Sequence, residues 1–331
     1  SRLADYDYRS LAADHGAGEA QARVVETWLD ELGIDAVATP ERFPLGPADR
    51  LRDRGVAVDP ETEDVVTEIR ARKTPAETEW IRETQRANEA AMAAADDLLA
   101  AATVERADDV DGTGTAGVEG AVLCHDGEVL TSERVRREIE ATLLDHDCAL
   151  DETIVAYGAD AADPHDRGSG PLRPDEPIIV DIFPRSKATR YHADMTRTFL
   201  KGEPSDAVRE WFELTRAAMD AALDAIEPGV TGRAVHDAVC DVYEDAGQST
   251  LRSDPTAETG FIHSTGHGVG LDIHELPRLA PDGDALRSGH VVTVEPGLYD
   301  PAVGGVRLED LVVVTDDGHE NLTDYPIELT V

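Results

Sequence analysis

The chain has 331 residues, 41% of them hydrophobic, enough for a sizeable core in one large domain or in two unequal ones. Its 69 acidic residues against 30 basic ones give a formal net charge of −39, the wrong sign for a nucleic-acid binder. No run of about 18 apolar residues occurs, which excludes a membrane-spanning helix, and no charged–apolar–small leader pattern opens the sequence.

The acids are spread along the chain rather than gathered in tails, and the basic residues comprise 27 arginines and only Lys73, Lys187 and Lys201. Such a surface suits a cytoplasm rich in salt, where counterions screen self-repulsion, so a halophilic, cytoplasmic protein is expected. Cys124, Cys148 and Cys240 show no paired spacing and read as ordinary buried thiols of a reducing compartment. The first residue is Ser1 rather than Met, which implies processing or trimming of a longer product.

Residues 20–35 predict a helix ending at Gly33, followed by a short strand in AVATP, then a second strand and a short helix in RGVAVDPETEDVVTEIRARK. These read as the back part of a small α/β domain ending at residue 72. Thr74-Pro75-Ala76-Glu77 is a capping box with proline at the first helical position. It predicts a long helix to about Ala101, with Trp80, Ile81 and Met92 as its few exposed apolar side chains. Residues 103–128 read as a flexible excursion with a hairpin carrying GAVLC. An amphipathic helix is expected over 132–146, strands in ETIVAYG, PIIVDIF and HADMTRTFL, and helices over 205–226 and 232–246. The remainder reads mainly as strands, so 73–331 predicts an α+β domain with a largely antiparallel sheet.

Four acids stand where carboxylates are costly. Asp181 follows the apolar run Pro177–Val180, Asp194 sits in YHADMTRTF, Glu295 follows VVTV, and Glu309 lies between VRL and LVVV. A carboxylate in an apolar strand must be paired, solvated or bound to a metal. Any one of them could pair with an arginine or face water. Four of them beside FIHSTGHGVGLDIHELP, with His263, His267 and His274 in one glycine-rich run, point to metal. Four carboxylates balance the charge of two divalent cations, and hard oxygen ligands favour Mn(II), Co(II) or Fe(II). The glycines would let the backbone bend so that the histidines share one cleft.

HSTGHGVGLDIHE, Asp181, Asp194, Glu295 in VEPGLY and Glu309 in VRLED together resemble the pita-bread metallopeptidases (M24), most of all the proline-specific branch of Xaa-Pro dipeptidases and aminopeptidase P. The resemblance spans about residues 73–331. It implies a pita-bread catalytic domain with a curved, mostly antiparallel sheet, preceded by a short creatinase-type α/β domain over 1–72. It implies two divalent metal ions, Mn foremost with Co, Fe or Zn as alternatives. Asp181 would chelate one ion, Asp194 and Glu309 would bridge, and His267 and Glu295 would complete the other. Glu295 would also shuttle a proton, and His263 and His274 would contact substrate and steady the oxyanion. His165 would line the mouth of the site. Arg307 would orient Glu309 or Asp194, and Tyr299 would be a supporting residue or a plain core tyrosine. Short proline-containing peptides are the implied substrates and a homodimer the implied assembly, with no nucleic-acid or membrane partner.

Methionine aminopeptidases share the five ligands and a histidine pair seven apart, but usually lack the N-terminal domain and a histidine four before the ligand, so His263 favours the proline-specific branch. Two departures stand out. Asp181 and Asp194 are joined by a longer hairpin than the family carries, through Asp181-Ile182-Phe183-Pro184-Arg185, and the N-terminal domain is shorter than usual. Alternatives are a methionine aminopeptidase-like enzyme, a metal-dependent amidohydrolase on a small N-acyl or amidine solute, and a non-catalytic pita-bread binding module.

Overall fold

The structure, a computed structural model, describes residues 6–40, 42–61, 65–110 and 119–331. The chain divides into two compact units, Ser1–Ile69 and Arg70–Val331. In chain order the first part contains α1 (Tyr8–His15), α2 (Ala17–Leu32), β1 (Ala36–Thr39), α3 (Leu45–Arg52) and β2 (Ala57–Pro60), followed by α4 (Val65–Ala71). β1 and β2 pair in parallel across α3. Ala22, Leu29, Ala48, Leu51, Val56 and Val58 form their small core. α2 stops at Gly33, whose φ of 68° is the left-handed cap that glycine adopts freely. Sequence reading missed α1 and α3. α1 buries no residue and so carries no apolar stripe, and α3 buries only Ala48 and Leu51.

The second unit is built around two helix-backed sheets, with three smaller ones beside them. α5 (Pro75–Ala101) starts at the Thr74 capping box, where Glu77 N donates to Thr74 Oγ1 at 3.4 Å and Thr74 N to Glu77 Oε2 at 2.7 Å. Its inward stripe runs Ile81, Gln85, Asn88, Met92, Ala95, Leu99, alternating steps of four and three. Trp80 is exposed as expected, but Ile81 and Met92 are fully buried, because both lie on that stripe. β3 (Thr103–Arg106), β4 (Ala121–His125) and β5 (Glu128–Val129) form an antiparallel sheet. The expected excursion is therefore a paired ladder at its ends, with GAVLC supplying β4. β3 is mostly exposed, so its apolar periodicity is weak. Residues 111–118 of that stretch lie outside the described residues.

α6 (Ser132–Asp145) packs beside α5. β6 (Cys148–Ala149) and β7 (Thr153–Tyr157) follow, then β8 (Ile178–Ile182), β9 (Arg185–Ser186) and β10 (Met195–Phe199). β10, β8 and β7 form one antiparallel sheet under α5 and α6, and β6 pairs with β9 in the hairpin beyond Asp181. α7 (Asp206–Ala225) and α8 (Gly232–Asp245) form the second helical pair. They cover a five-stranded sheet in the order β12 (Glu275–Leu279), β11 (Gly266–Gly268), β13 (Val291–Val294), β16 (Asp310–Val314), β17 (His319–Asn321). β14 (Gly297–Asp300) and β15 (Gly304–Arg307) form a separate hairpin. Every strand ladder of this unit is antiparallel among the described residues.

The two halves meet at β10. Glu309 N donates to Thr196 O at 3.0 Å, and Arg307 N to Thr198 Oγ1 at 3.0 Å. Arg197, 1% exposed, gives its five N–H groups to Thr196 O, Glu309 O, Asp310 Oδ1, Tyr325 O and Pro326 O. The last residues fasten to the same strand end: Leu200 N donates to Leu329 O and Val331 N to Leu200 O. The three cysteines are free and buried. No described helix is long and apolar enough to cross a membrane.

Candidate metal centre

Both halves contribute to one acidic group. Asp181 lies on β8 and Asp194 one residue before β10. His267 is in β11, Glu295 one residue past β13, and Glu309 between β15 and β16. Buried polar groups on α5 fix the first pair: Asn88 Nδ2 donates to Ile182 O at 2.7 Å, and Asp194 N donates to Gln85 Oε1 at 3.3 Å.

Asp194, His267 and Glu309 each place a ligand-capable atom within 4.8 Å of the other two. His267 Nε2 stands 3.7 Å from Asp194 Oδ2 and 3.5 Å from Glu295 Oε1. Asp181 joins through Arg307, whose Nη2 donates to Asp181 Oδ2 at 2.6 Å. Burial, then repulsion from Glu309, Asp181 and Glu295, pushes the Asp194 carboxyl well above the usual range. Burial and the charges of Glu295 and Asp181 do the same to Glu309. Burial raises Glu295 to about 7. Burial lowers His267, which keeps its imidazole neutral, the form that binds metal.

The residues fit a divalent cation on two observations. Asp181 Oδ1 and Asp194 Oδ1 are buried with no hydrogen-bond partner, a costly state that a cation would relieve. The donor set is hard carboxylate oxygen with one imidazole. The clustered Asp194–His267–Glu309 triad is thus a metal-binding arrangement.

The three glycines of the histidine run act through close packing rather than bending. None of Gly266, Gly268 and Gly270 has a positive φ. A Cβ would meet Thr293 O at 2.0 Å from Gly266, Leu276 O at 2.2 Å from Gly268, and the Glu275 carboxylate at 2.4 Å from Gly270. A register shift between His267 and Gly268 sets a bulge in the β11–β12 ladder. Bulges commonly re-aim side chains beside functional sites. His274 stands edge-on to His267, ring centroids 4.2 Å apart, and is exposed.

His263 is held differently. Arg307 Nη1 donates to Tyr299 OH at 3.0 Å, and that hydroxyl lies 2.9 Å from His263 Nε2. His263 Nδ1 lies 2.7 Å from Ser264 O, which assigns the ring proton to Nδ1 and leaves Nε2 to accept from Tyr299. Burial, then the charge of Arg307, lowers His263 to about 3. Burial raises Tyr299 to about 12. Tyr299 is therefore wired to both His263 and Arg307 rather than idle in the core. Arg307 bonds neither Glu309 nor Asp194, its expected partners. It takes Asp181, Tyr299 and, at 3.2 Å, Pro164 O, because its position at the end of β15 faces β8. His165, next to that carbonyl, is exposed.

Sequence reasoning missed two threonines. Thr196 Oγ1 donates to Glu309 Oε2 at 2.7 Å, and Arg307 Nε donates to Thr196 Oγ1 at 3.3 Å. Thr293 Oγ1 accepts from His267 N at 3.1 Å and donates to Glu295 Oε1 at 3.2 Å. The i, i+2 spacing of Thr293 and Glu295 on one strand face was a usable signal.

Residues 79–316 match the model of metallopeptidase family M24. The chain belongs to this family. As an M24 chain it is 36% identical over 180 residues to the Xaa-Pro dipeptidase of Pyrococcus furiosus, covering 54% of this chain and 49% of that protein. The chain spans about half the length of the curated relatives it matches. The Xaa-Pro dipeptidase from Bacillus anthracis is structurally similar, with a TM-score of 0.76, 27% identity, and coverage of 94% of this chain and 78% of that one. An X-Pro aminopeptidase from Thermotoga maritima MSB8 gives a TM-score of 0.75 and 26% identity, covering 94% and 80%. The fold is that of an α+β pita-bread catalytic domain with additional N-terminal β/α elements.

Proposed function

We propose that this M24 chain is a metal-dependent exopeptidase that cleaves the Xaa-Pro bond of dipeptides or short peptides. The observation that carries the reading is the Asp194–His267–Glu309 cluster, flanked by Asp181 and Glu295, with two buried carboxylate oxygens left unpartnered. The similarity to Xaa-Pro dipeptidases and an X-Pro aminopeptidase supports the substrate class.

Asp181, Asp194, His267, Glu295 and Glu309 would hold two divalent cations, Mn(II) foremost. Such a pair supplies Lewis acidity and an activated water. Glu295, half-buried and raised to about 7, is poised to take up a proton and return it to the leaving amine. His274, exposed beside His267, is placed to donate to a substrate oxygen. His263 keeps its proton on Nδ1, toward Ser264, and supports the peptide-binding wall through its fixed ring. His165 lines the mouth. Residues 1–72 are a partial N-terminal α/β domain and 73–331 the catalytic domain, working as a homodimer in a saline cytoplasm.

The test is hydrolysis of Ala-Pro, Xaa-Pro-Xaa and Met-Ala by the protein reconstituted with Mn(II), alongside bound-metal analysis. Cleavage of the proline peptides with two bound equivalents supports the reading. Turnover of Met-Ala alone, or no bound metal, defeats it. The saline origin is tested by unfolding in dilute buffer and in molar KCl, where greater stability in KCl is expected.

A further inference from the structure

Glu275 follows His274 and is a buried carboxylate outside the metal cluster, with its side chain 6% exposed. Lys73 Nζ, on a side chain 1% exposed, donates to Glu275 Oε2 at 3.0 Å. Arg70 donates to Glu275 Oε1 and, at 2.7 Å, to Asp272 Oδ2. Asp272 N donates to Glu275 Oε1 at 3.0 Å. The carboxylate therefore fills the turn between β11 and β12 from inside, which is why Gly270 has no room for a Cβ. The turn is braced further by Gly270 N to Asp272 O at 3.1 Å and His192 N to Gly270 O at 2.8 Å. Lys73 is itself immobilised, its backbone N donating to Gly289 O at 2.7 Å.

A buried ion pair is poor value as a source of stability, since an apolar pair of the same shape often holds a fold as well. A charged carboxylate that accepts a backbone N–H fixes chain geometry in a way an apolar pair does not. The segment so fixed carries His274, whose ring stands 4.2 Å from that of His267. We propose that Glu275 is a positioning residue: clamped by Lys73 and Arg70, it locks the 270–275 turn so that His274 is held against His267 and presented to the substrate. The functional part rests on the exopeptidase reading above.

The experiment is a double-mutant cycle of Glu275→Gln with His274→Ala in the Mn(II)-reconstituted protein, with amide hydrogen exchange of residues 270–274 in parallel. Glu275→Gln should lower kcat on Ala-Pro about tenfold at unchanged metal content, as misplacement of a group near the chemistry does. In the His274→Ala background the same change should alter kcat less than about twofold, because its effect passes through His274. Exchange at 270–274 should speed up about tenfold or more. Multiplying losses in the double variant, or unchanged exchange, would overturn the proposal. Should Glu275→Gln fail to fold, the paired variant Lys73→Met with Glu275→Gln removes the buried Lys73–Glu275 pair together, while Arg70 keeps Asp272 as its partner. Wild-type kcat and exchange in that pair would equally reject it. A wild-type protein inert on every Xaa-Pro peptide defeats the exopeptidase reading instead, while the exchange measurement still judges the clamp.

Discussion

Glu309 and Asp310 are chain neighbours, yet they face two different ionic environments on opposite sides of the seam at β10. Asp310 meets Arg197 at 2.8 Å and accepts from Asn321 Nδ2 at 2.6 Å, while Arg197 has a partner for each of its N–H groups. Glu309 joins Asp181, Asp194 and Glu295, and Arg307 is the cation hydrogen-bonded into that group among the described residues. One cluster is balanced and closed. The other has surplus negative charge and unpartnered oxygens. Burial alone therefore does not mark a functional acid; a charge deficit at full burial does.

The contrast can be broken at its centre. His267→Ala should drop Ala-Pro turnover by more than about 100-fold, since even supporting residues of a metal site cost 10–100-fold. Bound-metal analysis should show the loss at the same time. The two neighbouring acids should then respond with opposite signs. Asp310→Asn leaves the Arg197 charge buried and unpaired and should cost about 3–5 kcal/mol in urea unfolding. Glu309→Gln should instead raise the urea midpoint of the cation-free protein, because a carboxyl held above its ordinary pKa works against folding at neutral pH.

pH sharpens the same point. The folded pKa of Glu295 is raised from 4.5 to about 7, so its contribution to stability is full below about pH 4.5 and is lost as pH rises through about 7. The Tm gap between Mn(II)-loaded and cation-free protein should therefore widen across that window. A gap that stays constant would mean that Glu295 does not feel the cation. The smallest effect belongs to Thr196→Val, which removes the hydroxyl linking Arg307 to Glu309 and should weaken Mn(II) retention about tenfold.

Much of this was legible in the sequence because the acids break the apolar pattern of buried strands. Asp181 after PIIV and Glu295 after VVTV are conspicuous on physical grounds alone. The capping box fixed the start of α5 for the same reason: its chemistry is local. What could not be read depends on distant pairing. Arg307 chooses Asp181, 126 positions away, and Lys73 meets Glu275 across 202 positions. The glycines of the histidine run were legible as special but not for the right reason, since crowding by Thr293, Leu276 and Glu275 is invisible until the strands are paired. Ile81 and Met92 were misjudged because a stripe of Gln85, Asn88 and Ala95 looks polar or small until its polar members are seen buried.

The fastening of residues 325–331 to β10 has a practical consequence. β10 is the outermost member of its three-stranded sheet; Glu309 and Arg307 close its far edge at Thr196 and Thr198, and the tail closes its end at Leu200. Clipping that short tail would strip Arg197 of two carbonyl acceptors and free Leu200 at the same stroke. Proteolytic nicking here would thus be expected to show up as a lowered unfolding midpoint, through the lost acceptors of the buried Arg197 guanidinium.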